Sequence, residues 1–134
     1  MVAIFIDFEN VKSEGLKGVE FLLDSDKLYL FYSNACPSLP IESYKLIMQS
    51  GCDYHAIKLK QSGTNFLDMY IAGACGELIG NGYEGDIAIV SKDKGFQSVV
   101  DYWGNHEKNK RRIIRGSNVV EALITTQDVV PHIK

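Results

Sequence analysis

The chain has 134 residues, 46% of them apolar, and a formal net charge of −3. This composition excludes a disordered chain, and the length favours one domain spanning residues 1–134. No apolar run approaches the ~20 residues of a membrane span, and the three cysteines lack the CxxC spacing of a zinc knuckle. Because no leader-like segment precedes the first apolar run, we expect a cytoplasmic protein with reduced thiols.

Strands and helices are predicted to alternate along the chain. Apolar runs predict strands at 2–7, 27–32, 53–59, 86–91 and 113–114. Apolar residues at helical spacing predict helices at 15–23, 40–49, 66–79, 96–102 and 119–125. Pro40 is expected to start the second helix and Gly51 to stop it. This alternation predicts an α/β fold, a three-layer αβα sandwich around a mostly parallel sheet of about five strands.

Three aspartates stand at the ends of these apolar segments. Asp7 ends the first run, Asp93 follows the fourth, and Asp68 opens the apolar part of the long third helix. In open α/β sheets, functional groups collect at the carboxyl ends of the strands. Carboxylates crowded there repel one another unless a divalent cation lies between them, and oxygen ligands suit Mg²⁺ or Mn²⁺. The sequence therefore predicts a metal site.

Each of these residues also has a structural interpretation. Asp7 is suited to a turn or helix cap, and Asp93 to capping the helix that follows it. Asn65 and Asp68 match a capping box, a role that Asp68 can combine with metal binding. Glu9 either approaches the same metal as Asp7 or points to solvent, which we favour.

Basic and aromatic residues are candidates for holding a polyanion. Lys58 and Lys60 end the third strand, and Lys92 and Lys94 flank Asp93. The strongest phosphate-contact candidate is the basic run near the C-terminus, formed by Lys108, Lys110, Arg111, Arg112 and Arg115. A solvated loop is the alternative for that run. Stacking on bases is open to Tyr32, Tyr54, Tyr102 and Trp103, although packing is favoured for each.

Three short motifs together resemble the PIN-like nucleases, especially their NYN-type branch. They are Ile-Asp-Phe-Glu-Asn at 6–10, Asn-x-x-Asp at 65–68 and Ser-x-Asp-x-Gly-Phe at 91–96. The resemblance extends from residue 2 to about residue 125. It implies a parallel sheet flanked by helices, an acidic pocket at the carboxyl ends of the strands, and divalent-metal-dependent cleavage of RNA, most often single-stranded.

The resemblance also assigns roles to residues. Asp7, Asp68 and Asp93 fall on the metal-binding acids, Asn10 on the asparagine that supports the first acid, and Ser91 on the small polar residue before the third. Many members carry a further acid at the position of Gly95. The candidates to replace it are Glu9 and Asp101, neither of which stands at the expected position.

The leading functional prediction is a metal-dependent endoribonuclease in which water attacks single-stranded or structured RNA. A second hypothesis is a catalytically weak or inactive PIN-like module that binds RNA or a protein partner. A phosphotransferase with Asp7 as nucleophile ranks last, because it would need an Asp where Glu9 stands. A homodimer is possible, and the absence of a convincing Ser-His or Cys-His pair agrees with water as the nucleophile.

Overall fold

A computed structural model of the chain describes residues 1–34, 38–60, 64–104 and 111–126, with the side chains of Thr64 and Asn65 left out. The strands are β1 (Val2–Asp7), β2 (Lys27–Tyr32), β3 (Asp53–Lys58), β4 (Asp86–Val90) and β5 (Ile113–Gly116). The helices are α1 (Phe8–Val11), α2 (Ile41–Ser50), α3 (Thr64–Gly80), α4 (Gln97–Gly104) and α5 (Val119–Thr126). Short 3₁₀ turns lie at Lys12–Leu16, Val19–Phe21 and Lys94–Phe96.

The five strands form one sheet in the order β3-β2-β1-β4-β5, and every neighbouring pair is parallel. The predicted α/β class with a sheet flanked by helices is confirmed, and the sheet is wholly rather than mostly parallel. β1 is the central strand, and all six of its residues are buried. The strand order reverses beside β1, so a crevice opens between the carboxyl ends of β1 and β4, where ligands bind in open α/β sheets.

The two faces of the sheet carry separate apolar layers. Val2, Ile4 and Ile6 of β1 point to the layer that includes residues of α2 and α5. Ala3 and Phe5 point to the layer that includes Leu67, Ile71 and Cys75 of α3. Because side chains alternate along a strand, Asp7 continues the second series and lies on the α3 side. The alternation thus directs the first aspartate toward the helix that carries Asp68.

The predicted helix at 15–23 is wrong. In its place the chain enters α1 directly after β1 and continues through two 3₁₀ turns. Gly18 has φ +104°, a left-handed conformation that interrupts a helix, and a β-carbon at Gly15 would clash with Val11. The remaining ends agree to within a few residues. As predicted, Pro40 directly precedes α2, and Gly51 ends it in a left-handed conformation at φ +75°.

Across the described ranges, no helix combines the length and the apolar character that crossing a membrane requires.

Candidate active site

Asp7 is tied to the end of the neighbouring strand β4 by hydrogen bonds. Its side chain is 2% exposed, and its Oδ2 accepts a hydrogen bond of 2.8 Å from Ser91 Oγ. Ser91 Oγ in turn accepts one of 3.0 Å from the backbone N–H of Asp93. Although Asp7 precedes α1, its side chain makes no capping hydrogen bond to that helix, all of which is described. The side chain therefore belongs to the crevice between β1 and β4.

Asn10 closes the same crevice from the other side. Its Oδ1 accepts a hydrogen bond of 2.6 Å from the backbone N–H of Lys92, which lies 82 residues further along the chain. The contact is long-range rather than a local turn bond. Asn10 thus fixes the loop after β4 against the start of α1, and that loop carries both Ser91 and Asp93.

Asp93 and Asp68 lie side by side. Asp93 precedes the 3₁₀ turn at Lys94–Phe96 and caps it, because its Oδ1 accepts a hydrogen bond of 2.9 Å from the backbone N–H of Gly95. A β-carbon built on Gly95 would lie 3.2 Å from Asp93 Oδ1 and 3.8 Å from Asp68 Oδ2. The capping role predicted for Asp93 is confirmed, and its carboxylate still faces Asp68 across the space that glycine leaves open.

Burial, followed by the repulsion of neighbouring acids, raises the pKa of two of these carboxyls. The pKa of Asp7 is raised from 3.8 to about 6, mainly by burial, with smaller contributions from the charges of Asp68 and Glu9. The hydrogen bond from Ser91 and the nearby backbone N–H of Asn10 lower it. The pKa of Asp68 is also raised to about 6, first by burial and then by the adjacent Asp93. Both carboxyls are therefore desolvated, and each also lies within reach of another acid.

The donor set fits a hard divalent cation, although the predicted three-ligand cup is not formed. Among the described residues, no group of three or more Asp, Glu, His or Cys side chains is arranged to hold a metal ion. Yet Asp7 Oδ1 and Asp68 Oδ1 are buried and have no hydrogen-bond partner within the described part of the chain, which is costly for a charged group. Oxygen ligands are those that Mg²⁺ and Mn²⁺ prefer. Asp7 and Glu9 line one cleft and Asp68 lies beside Asp93, so the oxygen ligands of this edge are grouped in pairs.

Glu9 is the fourth carboxylate of the site, and our expectation that it points to solvent is wrong. It lines a cleft of about 180 Å³ together with Asp7, Asn10 and Leu67. The buried hydroxyl of Ser33, at the end of β2, donates a hydrogen bond to Glu9 Oε1 and turns the side chain inward. Sequence reasoning did not assign Ser33 or Leu67 to the site. The pairing of β2 with β1 brings Ser33 here, and the packing of α3 against the sheet brings Leu67.

Asp101, the other candidate for a fourth acid, is not part of the site. It lies on the exposed side of α4, where its Oδ1 accepts a hydrogen bond of 2.9 Å from Gln97 Nε2 one helical turn earlier. This contact is an ordinary surface pair between residues four apart.

The basic residues predicted as one group are divided between the two edges of the sheet. Lys58 ends β3 and Lys60 follows it at the carboxyl edge, and exposed Lys92 and Lys94 flank Asp93. Arg115 reaches the same edge, where its Nη1 lies 3.5 Å from the backbone oxygen of Ser91, a contact at the outer limit for a hydrogen bond. These five cations can approach a phosphate bound near the acids.

Arg111 and Arg112 lie at the amino edge, away from the acids. The backbone N–H of Arg112 donates to Asp86 Oδ1 at 2.9 Å, and its Nη1 donates to the backbone oxygen of Thr125 at 2.9 Å. Asp86 is the first residue of β4, which fixes the position. Burial raises the pKa of Cys75 and of Tyr83 in the interior of the same region, and the charge of Arg111 partly offsets this rise. This placement does not favour a role for either arginine in holding substrate at the acidic cleft.

Three predicted site residues, Lys108, Lys110 and Asn65, lie wholly or partly outside the described part of the chain. Lys108 and Lys110 lie outside the described residues. Asn65 lies within α3, which begins at Thr64, so its predicted position at the N-cap is wrong. Its side chain lies outside the described part of the chain.

Comparison with protein families gives one match. The family model of the PIN domain matches residues 1–113. The search of curated proteins and the search of solved structures each found no significant match.

Proposed function

This chain belongs to the PIN domain family, whose members are typically metal-dependent nucleases, and we propose that it is a metal-dependent endoribonuclease of the NYN type. The substrate would be single-stranded or structured RNA. The observation that carries this proposal is the placement of two pairs of carboxylates at the β1–β4 crevice: Asp7 lines a cleft with Glu9, and Asp68 lies beside Asp93 and acts on the charge of Asp7. The three motifs at 6–10, 65–68 and 91–96 support the assignment to the NYN branch.

The side chains divide the work at this crevice. Ser91 holds one oxygen of Asp7, and the other oxygen has no partner among the residues that the structure describes. The N–H of Gly95 holds Asp93, which lies beside Asp68. We assign Asp7, Asp68 and Asp93 as ligands for Mg²⁺ or Mn²⁺. Such a cation would supply charge neutralisation for the phosphate and a lowered pKa for the attacking water.

The remaining polar groups position and hold the substrate. Asn10 and Ser91 keep the loop after β4 in register with β1, so that Asp93 faces Asp68. Lys92 and Lys94 offer exposed ammonium groups beside the acids for phosphate oxygens. Attack by water in line with the leaving 3′ oxygen would give products with a 5′-phosphate and a 3′-hydroxyl.

The direct test is incubation of the purified protein with labelled single-stranded RNA and DNA in Mn²⁺, Mg²⁺ or chelator. We expect RNA cleavage in the metal ions and none in chelator. Asp93→Asn keeps an oxygen that can accept the bond from Gly95, so the turn should remain folded. Its cleavage rate should fall by at least ~100-fold, because metal assistance supplies several kcal/mol of transition-state stabilisation.

Asp101→Asn is the matched control, since it makes the same chemical change on the exposed face of α4. It should cut at the rate of the parent. If Asp93→Asn cuts as fast as the parent in Mn²⁺ while both proteins are folded, the assigned site is wrong.

A module that binds RNA or a protein partner without cutting is the second candidate. It is favoured by Gly95 at the position of a further acid and by the absence, in the described ranges, of a preformed three-ligand group. Calorimetric titration with Mn²⁺ separates the two candidates. Binding that Asp7→Asn abolishes supports the nuclease, and the lack of any binding supports the inactive module.

The homodimer stays a prediction. Phe66, Met69 and Tyr70 of α3 are 43%, 73% and 44% exposed, and exposed apolar groups that adjoin one another often mark an interface. Sedimentation velocity of the parent and of Met69→Lys would test it, with a dimer expected only for the parent.

A further inference from the structure

A second cavity lies on the opposite face of the sheet from the acidic cleft. It has a volume of about 170 Å³. Its described lining includes Phe8, Tyr32, Ser38, Leu39, Tyr54 and Ala56. Three of these side chains are aromatic rings and three carry hydroxyl groups, and none of the six is charged. The volume corresponds to ~6 water molecules, enough for a single flat heterocycle.

The cavity and the acidic cleft are separated by one layer of backbone. Phe8 lines the cavity and Glu9, the next residue, lines the cleft. In the same way Tyr32 lines the cavity, while the following Ser33 donates its hydrogen bond to Glu9. At the ends of β1 and β2, one residue of each neighbouring pair therefore faces the cavity and the next faces the cleft. The two sites thus share the backbone at the carboxyl ends of β1 and β2, one on each side of it.

The aromatic wall is held in place by its own contacts. Tyr54 is half-buried on β3 and packs edge-on against Tyr44 of α2, with ring centroids 6.5 Å apart. Burial, followed by the neighbouring Tyr32 and Tyr44, raises the pKa of Tyr54, so its hydroxyl remains a neutral donor. Aromatic faces stack on any base, and hydroxyl groups can bond the base edge.

From this juxtaposition we propose that the cavity binds one unpaired nucleobase of the RNA, next to the phosphate held at the acidic cleft. The inference rests on the proposed function, because it takes RNA as the ligand. It predicts that the protein selects single-stranded RNA, since a base that is paired and stacked inside a duplex cannot leave its neighbours to stack on these rings. The base is read through stacking, so several bases should be accepted.

The test uses a labelled 12-nucleotide single-stranded RNA in which each position in turn is replaced by an abasic residue. Affinity is measured by fluorescence anisotropy in chelator, which prevents cleavage. One abasic position should weaken binding to the parent by about tenfold, the scale of one base–aromatic stack. Ala56→Trp, which fills the cavity from an exposed position on β3, should bind the intact RNA about tenfold more weakly and lose sensitivity to that position.

Two further variants guard against effects on folding. Tyr54→Ala should behave as Ala56→Trp does, whereas Tyr54→Phe should retain most of the sensitivity to the abasic position. Tyr102→Ala is the matched control, because Tyr102 is 67% exposed on α4 and lies outside the cavity lining. It should leave the abasic profile unchanged.

The outcomes separate the two proposals. Three outcomes would each overturn the cavity proposal. The parent binds no RNA, the parent tolerates every abasic position, or Ala56→Trp shows the same abasic profile as the parent. A parent that shows the expected profile in chelator and yet cuts no RNA in Mn²⁺ would refute the nuclease and leave the base site standing.

Discussion

Substituting Asp7 by Asn should stabilise the metal-free protein at neutral pH. The pKa of Asp7 is raised from 3.8 to about 6, chiefly by burial. Well below pH 4 the carboxyl is protonated in both the folded and the unfolded chain, so it does not change the free energy of unfolding there. As the pH rises from about 4 to about 6, the unfolded chain releases the proton first. The free energy of unfolding therefore falls across this interval and stays low above it.

The size of the effect follows from the pKa. Each tenfold change in proton affinity is worth about 1.4 kcal/mol, so the ionised Asp7 destabilises the fold by about 3 kcal/mol above pH 6. Asn carries no charge and can still accept the hydrogen bond from Ser91. Its amide N–H₂, however, would replace an oxygen that has no partner in the described structure, at a cost of ~1–2 kcal/mol. The net gain expected at pH 7.5 is ~1–2 kcal/mol.

The assay is urea unfolding of the parent and Asp7→Asn between pH 4 and pH 8 in chelator, repeated with Mn²⁺. In chelator the advantage of the variant should grow between pH 4 and pH 6. In Mn²⁺ the order should reverse, because metal binds the deprotonated carboxylate and stabilises only the parent. Asp24→Asn, on an exposed turn, is the control and should change stability by less than ~0.5 kcal/mol. A variant that is less stable than the parent at pH 7.5 in chelator would refute the reasoning.

Two further predictions concern the basic residues and the glycines. Neutralising Lys92 and Lys94 to Gln should lower the slope of log affinity against log salt by ~1.4 for single-stranded RNA, whereas Arg112→Gln at the opposite edge should leave it unchanged. An equal loss for Arg112→Gln in anisotropy titrations would place the phosphate path elsewhere. Gly18→Ala should destabilise the fold by more than ~2 kcal/mol, because φ is +104° and the added carbon would lie 2.8 Å from the backbone nitrogen of Val120. Gly51→Ala, at φ +75° with nothing within 4 Å, should lose only ~1 kcal/mol in the same denaturation experiment.

Much of the fold could be predicted from the sequence, because the buried positions of strands and helices produce recognisable patterns of apolar residues. Val2 to Asp7 form a continuous apolar run that ends in a charge, as expected of a central parallel strand with its carboxyl end at a functional edge. The helical spacing around Ile71 and Cys75 predicts α3. The helix predicted at 15–23 is wrong, because Gly15 and Gly18 favour tight turns over a helix although apolar residues surround them. The spacing of apolar residues does not show that a side chain at these two positions would clash with Val11 or Val120.

What the sequence determined by itself is local: which segments are strands or helices, and which acids stand at their ends. The order β3-β2-β1-β4-β5 is a property of the folded chain, and it decides which ends become neighbours. In that order Asp7 lies beside Ser91 and Glu9 contacts Ser33, whereas Arg112 lies at the amino edge of the sheet beside Asp86. These contacts join residues 24 to 84 positions apart and depend on the packing of whole elements, so no spacing along the chain predicts them.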